Sequence, residues 1–263
     1  MKITLVQTTV SEHPRENLAT AEHAVRQAAE EGSDLVAFPE IFMARPGKKR
    51  SPAAIAQTSD GSFVNALAEL AVHYRITIVC GVWRKVEGET GRAANVVVVL
   101  GPDGSLLTEY WKIHLFDALN VVESESMVAG SLPPSLFSCG GIRFGLAICY
   151  DLRFPELFRY LARQGAEAVI VPAAWYEGVL KEEHWLTLLR ARAIENTVYL
   201  AGINQCSSPF CGRSALFDPF GVLLAGAGED DVLVSGLIDK KRLTDIRARL
   251  PVLDHTKEDL FFI

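Results

Sequence analysis

Three polar residues stand where apolar, strand-like runs end: Glu40 in "DLVAFPEIF", Lys112 in "LTEYWKIHLFD" and Cys149 in "GIRFGLAICYDLRFPEL". A thiol in that position is either a small hydrophobe or a nucleophile. "YDLRFPE" breaks the run after Cys149, and Pro155 suits the first position of a following helix. The positive end of that helix then lies near the thiol and favours its thiolate. Pro39 breaks the ladder before Glu40. That carboxylate is either at a strand's carboxyl edge, where open α/β sheets build sites, or in a watery loop. Lys112 sits among Tyr110, Trp111, Ile113, Leu115 and Phe116, and taken alone it reads as a lysine snorkelling past apolar neighbours. The three together are harder to explain structurally. A carboxylate base, a cation for an oxyanion and a thiol are the parts that acyl transfer through a thioester requires.

The elements that must position them alternate along the chain. "KITLVQTTV", "DLVAFPE", "ITIVCGVW", "GIRFGLAIC", "AEAVIVPAAW", "VYLAGIN", "RSALFDPFG" and "DVLVSGLID" read as strands. Between them, "ENLATAEHAVRQAAEEG", closed by Gly32, "GSFVNALAELAVHY", "PELFRYLARQG" and "HWLTLLRARAIENT" read as helices. "AANVVVVLGPDGSLLTEYWK" is two strands around the turn "GPDG". Roughly ten strands and four main helices, with hairpins mixed among crossovers, fit a mixed sheet or two stacked sheets better than a purely parallel one. No internal repeat, low-complexity segment or linker is visible. One domain over residues 1–263 is expected, with 124–138 as a long surface loop.

Composition narrows the function classes. Of 263 residues, 49% are hydrophobic and 22% charged, enough for a sizeable core. A net charge of -6 leaves no electrostatic footprint for nucleic acid, and the cluster "KKR" at Lys48, Lys49 and Arg50 reads as a solvated loop. "MKITLVQTTV" reads as a first strand rather than a secretory signal, and no apolar run approaches the ~18 residues of a membrane span. A cytoplasmic location is expected, with Cys80, Cys139, Cys149, Cys206 and Cys211 as reduced thiols. Their spacing gives no zinc pattern, and no metal site is expected.

"VAFPEIF", "YWKIHLFD" and "GLAICYDLRFPEL" resemble, in that order, the three signature regions of the nitrilase, or carbon–nitrogen hydrolase, superfamily. The resemblance continues through "AEAVIVPAAW", "HWLTLLRARAIENTVYLAG" and "SALFDPFG" into "DIRARLPVLDHTKEDLF". It implies an α/β fold of four layers, an αββα sandwich with two mixed sheets between helices. It also implies a Glu40–Lys112–Cys149 triad and a second glutamate beyond the lysine, which Glu123 matches better than Glu125. Homo-oligomers, built partly through the C-terminal tail (about 245–263), are implied as well, and no metal or organic cofactor is. "KIHLFD", "CYDLRFPEL" and "ARAIENTVY" look most like the Nit amidases, which include ω-amidases and deaminated-glutathione amidases. "PAAW", "LKEEHW" and "RARLPVL" lean toward the bacterial deaminated-glutathione amidases. Many Nit-type chains read Gly-His-Ser where this one has Gly212-Arg213-Ser214, which bears on loop geometry and substrate preference.

The reaction so implied is hydrolysis of a small carboxamide, with Lys112 and the Tyr150 backbone N–H stabilising the oxyanion. A carboxylate on the substrate needs a cation, and Arg153 and Arg45 are the candidates; Arg153 pairing with Glu156 as an elbow brace is the alternative. Trp175 is a candidate pocket wall, and His114 reads as a satisfied structural histidine. Competing readings are a Cys-His hydrolase or amidotransferase using His184, a non-catalytic binding protein on the same fold, and, within the superfamily, a nitrilase or N-carbamoyl amidohydrolase.

Overall fold

The computed structural model describes residues 1–47, 50–257 and 260; Lys48, Lys49 and the tail residues Glu258, Asp259, Phe261, Phe262 and Ile263 lie outside the described residues. The first half runs β1 (Lys2–Gln7), α1 (Pro14–Glu30), β2 (Leu35–Ala37), α2 (Pro52–Ile55), α3 (Ser62–Tyr74), β3 (Thr77–Arg84), β4 (Ala94–Leu100) and β5 (Leu106–Trp111). A small hairpin follows, β6 (Asp117–Ala118) and β7 (Val121–Val122), then β8 (Phe137–Cys139) and β9 (Ile142–Leu146). The second half continues with α4 (Pro155–Arg163), β10 (Ala168–Ala173), α5 (Lys181–Asn196), β11 (Tyr199–Asn204), β12 (Ala215–Phe217), β13 (Leu223–Gly226), β14 (Val232–Leu237) and α6 (Lys240–Arg249).

Two six-stranded sheets result, ordered β14-β1-β2-β3-β4-β5 and β13-β12-β11-β10-β9-β8. Each has a parallel centre, β1-β2-β3 in one and β9-β10-β11 in the other, flanked by antiparallel strands. The sequence shows no repeat, yet the two sheets share this strand pattern. Side chains alternate between faces with period two. In β2, Leu35 and Ala37 point between the sheets, where they join Ile3, Val79 and Val97 against Phe144, Leu146 and Ile170. Val36 faces the other way, into the layer formed with Ala24 and Val25 of α1 and Leu67 of α3. Val169 and Val171 of β10 face Phe158 of α4 and Trp185 of α5. The layers are therefore helix, sheet, sheet, helix, the αββα architecture. Among the described residues, no helix is long and apolar enough to cross a membrane.

Several details differ from the sequence reading. The segment 124–138 is not all loop: it opens within a 3-10 turn at Glu123–Glu125 and closes on β8. The strand expected to reach Cys149 stops at Leu146, and α6 was not anticipated.

Candidate active site

Glu40 lies just beyond β2, in a turn laid against β3. Phe38 donates its N–H to the Val79 carbonyl at 2.8 Å, and Met43 donates to that of Gly81 at 3.0 Å. Ile41 takes the left-handed conformation (φ 49°) that swings the chain back. The approach is so close that a Cβ on Gly81 would sit 2.5 Å from the Ile41 nitrogen and 2.6 Å from the Pro39 oxygen. Only glycine fits there. The Glu40 carboxylate is 2% exposed. Its Oε1 accepts from Asn95 Nδ2 (2.7 Å) and Lys112 Nζ (2.9 Å), and its Oε2 accepts from the Ala174 backbone N–H (2.7 Å).

Lys112 directly follows β5, and its backbone N–H donates to the Asn95 carbonyl (2.9 Å). It does not snorkel: the side chain is fully buried, and Nζ donates to Glu40 Oε1 and to both Glu123 oxygens, at 3.0 and 2.9 Å. Glu123 is held in turn by the Phe116 backbone N–H at 2.8 Å. The lysine thus joins two carboxylates. Burial works against its charge, but Glu40 and Glu123 outweigh it and hold the ammonium well above the usual lysine range. Burial also raises the Glu123 pKa, with Lys112 opposing and Glu40 reinforcing the rise.

Cys149 opens a 3-10 turn, Cys149–Arg153, in the left-handed conformation (φ 43°). Positive φ is uncommon for a residue with a Cβ and collects at functional turns. The thiolate that a helix start was expected to favour is not favoured. The extended Phe154 separates the turn from α4, whose first residue is Pro155. Burial, followed by the negative charge of Glu40, pushes the thiol well above its ordinary value despite the opposing pull of Lys112. The neutral thiol is the favoured form.

The elbow is tied to the lysine by Asp151, which is fully buried. Its Oδ2 accepts from Tyr110 Oη and the Ile148 N–H, both at 2.8 Å, and its Oδ1 lies 2.7 Å from His114 Nδ1 and 3.3 Å from the His114 nitrogen. Tyr110 and His114 bracket Lys112, so one carboxylate clamps the lysine's segment to the cysteine's turn. His114 also stacks on Phe154 at 3.7 Å, as a structural histidine should. Asp151→Asn turns one acceptor oxygen into a donor facing donors, and buried groups left unpaired cost about 1–3 kcal/mol each. Thermal melting should register that loss; an unchanged midpoint would remove the clamp from the account.

Glu40, Glu123 and Cys149 line a cavity of about 500 Å³, and Tyr150, Arg153, Trp175 and Arg45 line it too. Trp175 carries the Arg153 guanidinium over its ring at 4.7 Å, and no ion pair joins Arg153 to Glu156 among the described residues. His184 is exposed on α5 and outside the cavity wall, which leaves the Cys-His alternative without its base. Arg213 also lies off that wall, in the left-handed conformation (φ 60°), with its carbonyl accepting from Trp185 Nε1 at 2.8 Å. Sequence reasoning missed Lys181, whose Nζ lies 5.1 Å from the Trp175 ring centre and 5.4 Å from that of Phe116. It also missed Asn95, although a lone amide in the apolar run "ANVVVVL" was the available signal.

This fold and this constellation define a class, the αββα hydrolases that cleave non-peptide carbon–nitrogen bonds. The chain matches the carbon–nitrogen hydrolase family over residues 2–248 and belongs to it, within the nitrilase superfamily. Its similarities lie with the Nit-type amidases. The deaminated glutathione amidase of Escherichia coli O157:H7 is 38% identical over 232 residues, 88% of this chain and 87% of that one. The omega-amidase NIT2 of Bos taurus is 33% identical over 270 residues, 99% of this chain and 96% of that one. The C. elegans NitFhit protein superposes with a TM-score of 0.92 at 30% identity, covering 99% of this chain and 66% of that longer one. An amidase from Nesterenkonia sp. AN1, carrying the product of Michael addition of acrylamide at its active-site cysteine, gives a TM-score of 0.82 at 28% identity over 95% of this chain and 98% of that one.

Proposed function

We propose that this chain is a cysteine-dependent amidase. Its substrate is a small carboxamide with a carboxylate at the far end, deaminated glutathione or a related α-keto-acid ω-amide, cleaved to the acid and ammonia. The observation that carries the substrate class is the pair of cations on the cavity wall. Arg153 and Lys181 share the Trp175 ring, and among the described residues neither has a carboxylate partner. Burial, then the like charge of Arg153, lowers the Lys181 pKa. An anion entering between them offsets both effects by pairing with the charges.

The chemistry follows from the hydrogen bonds. Glu40 Oε1 already accepts two donors, so Oε2 keeps room for a proton. Glu40 takes the Cys149 proton as sulfur attacks the amide carbon. The Tyr150 N–H, which has no acceptor within its own turn, donates to the oxyanion and contributes on the order of 3 kcal/mol, while Lys112, its three Nζ protons held by Glu40 and Glu123, steadies the oxyanion through its charge. Glu40 returns the proton to nitrogen, the C–N bond breaks and ammonia leaves the thioester. Water activated by Glu40 or Glu123 then releases the acid and restores the thiol.

Ammonia release from deaminated glutathione, α-ketoglutaramate, an N-carbamoyl amino acid and an aliphatic nitrile tests the reading, with Cys149→Ala alongside. Turnover of a keto-amide supports it; activity confined to the carbamoyl compound or nitrile overturns the substrate class. Arg153→Met and Lys181→Met should each raise KM about 10-fold or more for the anionic amide, the worth of one charge-assisted hydrogen bond. A neutral amide of similar length should be nearly indifferent. Equal effects on both would detach the cations from substrate recognition.

A further inference from the structure

Asn95 is the one polar side chain in β4, where its neighbours are all buried and apolar. It is 1% exposed, yet it contributes to the cavity wall. Its Nδ2 donates to Glu40 Oε1 at 2.7 Å, which fixes the direction of the amide, because an ionised carboxylate only accepts. Its Oδ1 is thereby turned away from Glu40, and it is buried with no hydrogen-bond partner. An unpaired carbonyl oxygen is expensive in a protein interior and calls for a partner. Lys112 is not that partner, since its Nζ donates to Glu40 and Glu123. Of the six buried polar side-chain atoms without a partner among the described residues, this is the one whose residue lines the cavity, so a donor bound there is the nearest candidate.

We infer that Asn95 is a further catalytic residue, whose Oδ1 accepts a hydrogen bond from the nitrogen of the scissile amide. This deepens the amidase reading and rests on it. When sulfur adds to the carbon, the amide nitrogen becomes pyramidal and gains a localised lone pair. That lone pair must face the protonated Glu40 for the C–N bond to break with ammonia as leaving group. One N–H held by Asn95, itself bonded to Glu40, sets that rotation. An ester brings no N–H to the site, and neither does a nitrile in its first addition step. Asn95 therefore favours amides over substrates that form the same acyl-enzyme from another leaving group.

The test compares kcat/KM for a primary amide with that for the methyl ester of the same acid, in the wild type, Asn95→Ala and Asn95→Asp. Loss of the bond to Glu40 slows both substrates, so the amide-to-ester ratio isolates the oxygen's role. The ratio should fall about 10-fold in Asn95→Ala, the value of one hydrogen bond. It should recover in Asn95→Asp, which retains an acceptor oxygen. If alanine prevents folding, Asn95→Ser, too short to reach the amide, reports the same ratio. An unchanged ratio, with both rates reduced or neither, overturns the inference and leaves Asn95 at most orienting Glu40. A wild type with no Cys149-dependent turnover of the amide is a different failure: the amidase reading falls, and the inference falls with it.

Discussion

Cys149→Ala should abolish ammonia release, with turnover down by about 10⁴-fold or more, as for other enzymes that lose a covalent nucleophile. The folded state should barely notice. The residue is only partly buried, and Glu40 disfavours the charged form of its thiol, so alanine removes little more than the packing of one sulfur and its contact with the Ala174 backbone. Brief incubation with substrate should add the mass of the acyl group to the wild type and nothing to the variant. Alkylation supplies a second readout. Cys206 and Cys211 are pushed up to about 11 and about 12 by burial, and Cys80, fully buried, is raised as well. Cys206 hydrogen-bonds the Asp231 carboxylate, but neither it nor Cys80, Cys139 or Cys211 lines the cavity as Cys149 does. A small neutral electrophile should therefore modify Cys149 first, and Glu40→Gln should slow that reaction. Retained turnover in the alanine variant, or uniform labelling of all thiols, would return weight to a non-catalytic binding protein.

Lys112→Ala should combine a severe loss of activity with a severe loss of stability. The lysine alone bridges Glu40 and Glu123, and deleting one partner of a buried ionic network costs about 3–5 kcal/mol. For a chain of this size that lowers the melting temperature by on the order of 10 °C. The pH dependence has a definite sign. Without the cation, one of the two facing carboxylates has its folded-state pKa raised above the unfolded value. Its stabilising contribution is then present near pH 5 and lost as pH rises through the folded pKa. The variant should thus recover stability on acidification. Lys112→Ala combined with Glu123→Gln should recover part of it at neutral pH. A single variant that melts like the wild type across this range would show that the bridge carries no structural weight.

Much of the frame was legible because it rests on periodicity. Helix α1 buries Ala21, Ala24, Val25 and Ala28 on one stripe and stops beside Gly32 (φ 76°), as its sequence implies. Helix α6 was illegible for the complementary reason: "KKRLTDIRAR" buries only Leu243 and Ile246, too few positions to set a rhythm. The ends of strands were the weak point. Glu40 and Cys149 were expected at strand termini, whereas both lie in turns beyond them that depend on left-handed residues, Ile41 and Cys149 itself. Glu40, Lys112 and Cys149 stood out as polar residues breaking apolar runs. Asp151 did not, because its role depends on Tyr110 and His114, which the sequence places far away. Lys181 was masked by the charged stretch "LKEEHW" around it.

Glu40 and Lys112 extend from the sheet containing β2 and β5, while Cys149 and Ala174 extend from the sheet containing β9 and β10. Neither half of the chain therefore carries the whole proposed centre, which comes together only when the two layers have closed on each other. The same division makes catalysis the most sensitive gauge of loosening. In a molten state, which keeps its backbone ladders but loses fixed side-chain packing, the proposed base and nucleophile drift apart while far-UV circular dichroism stays near its native value. Turnover would then vanish together with the near-UV signal, ahead of any loss of secondary structure.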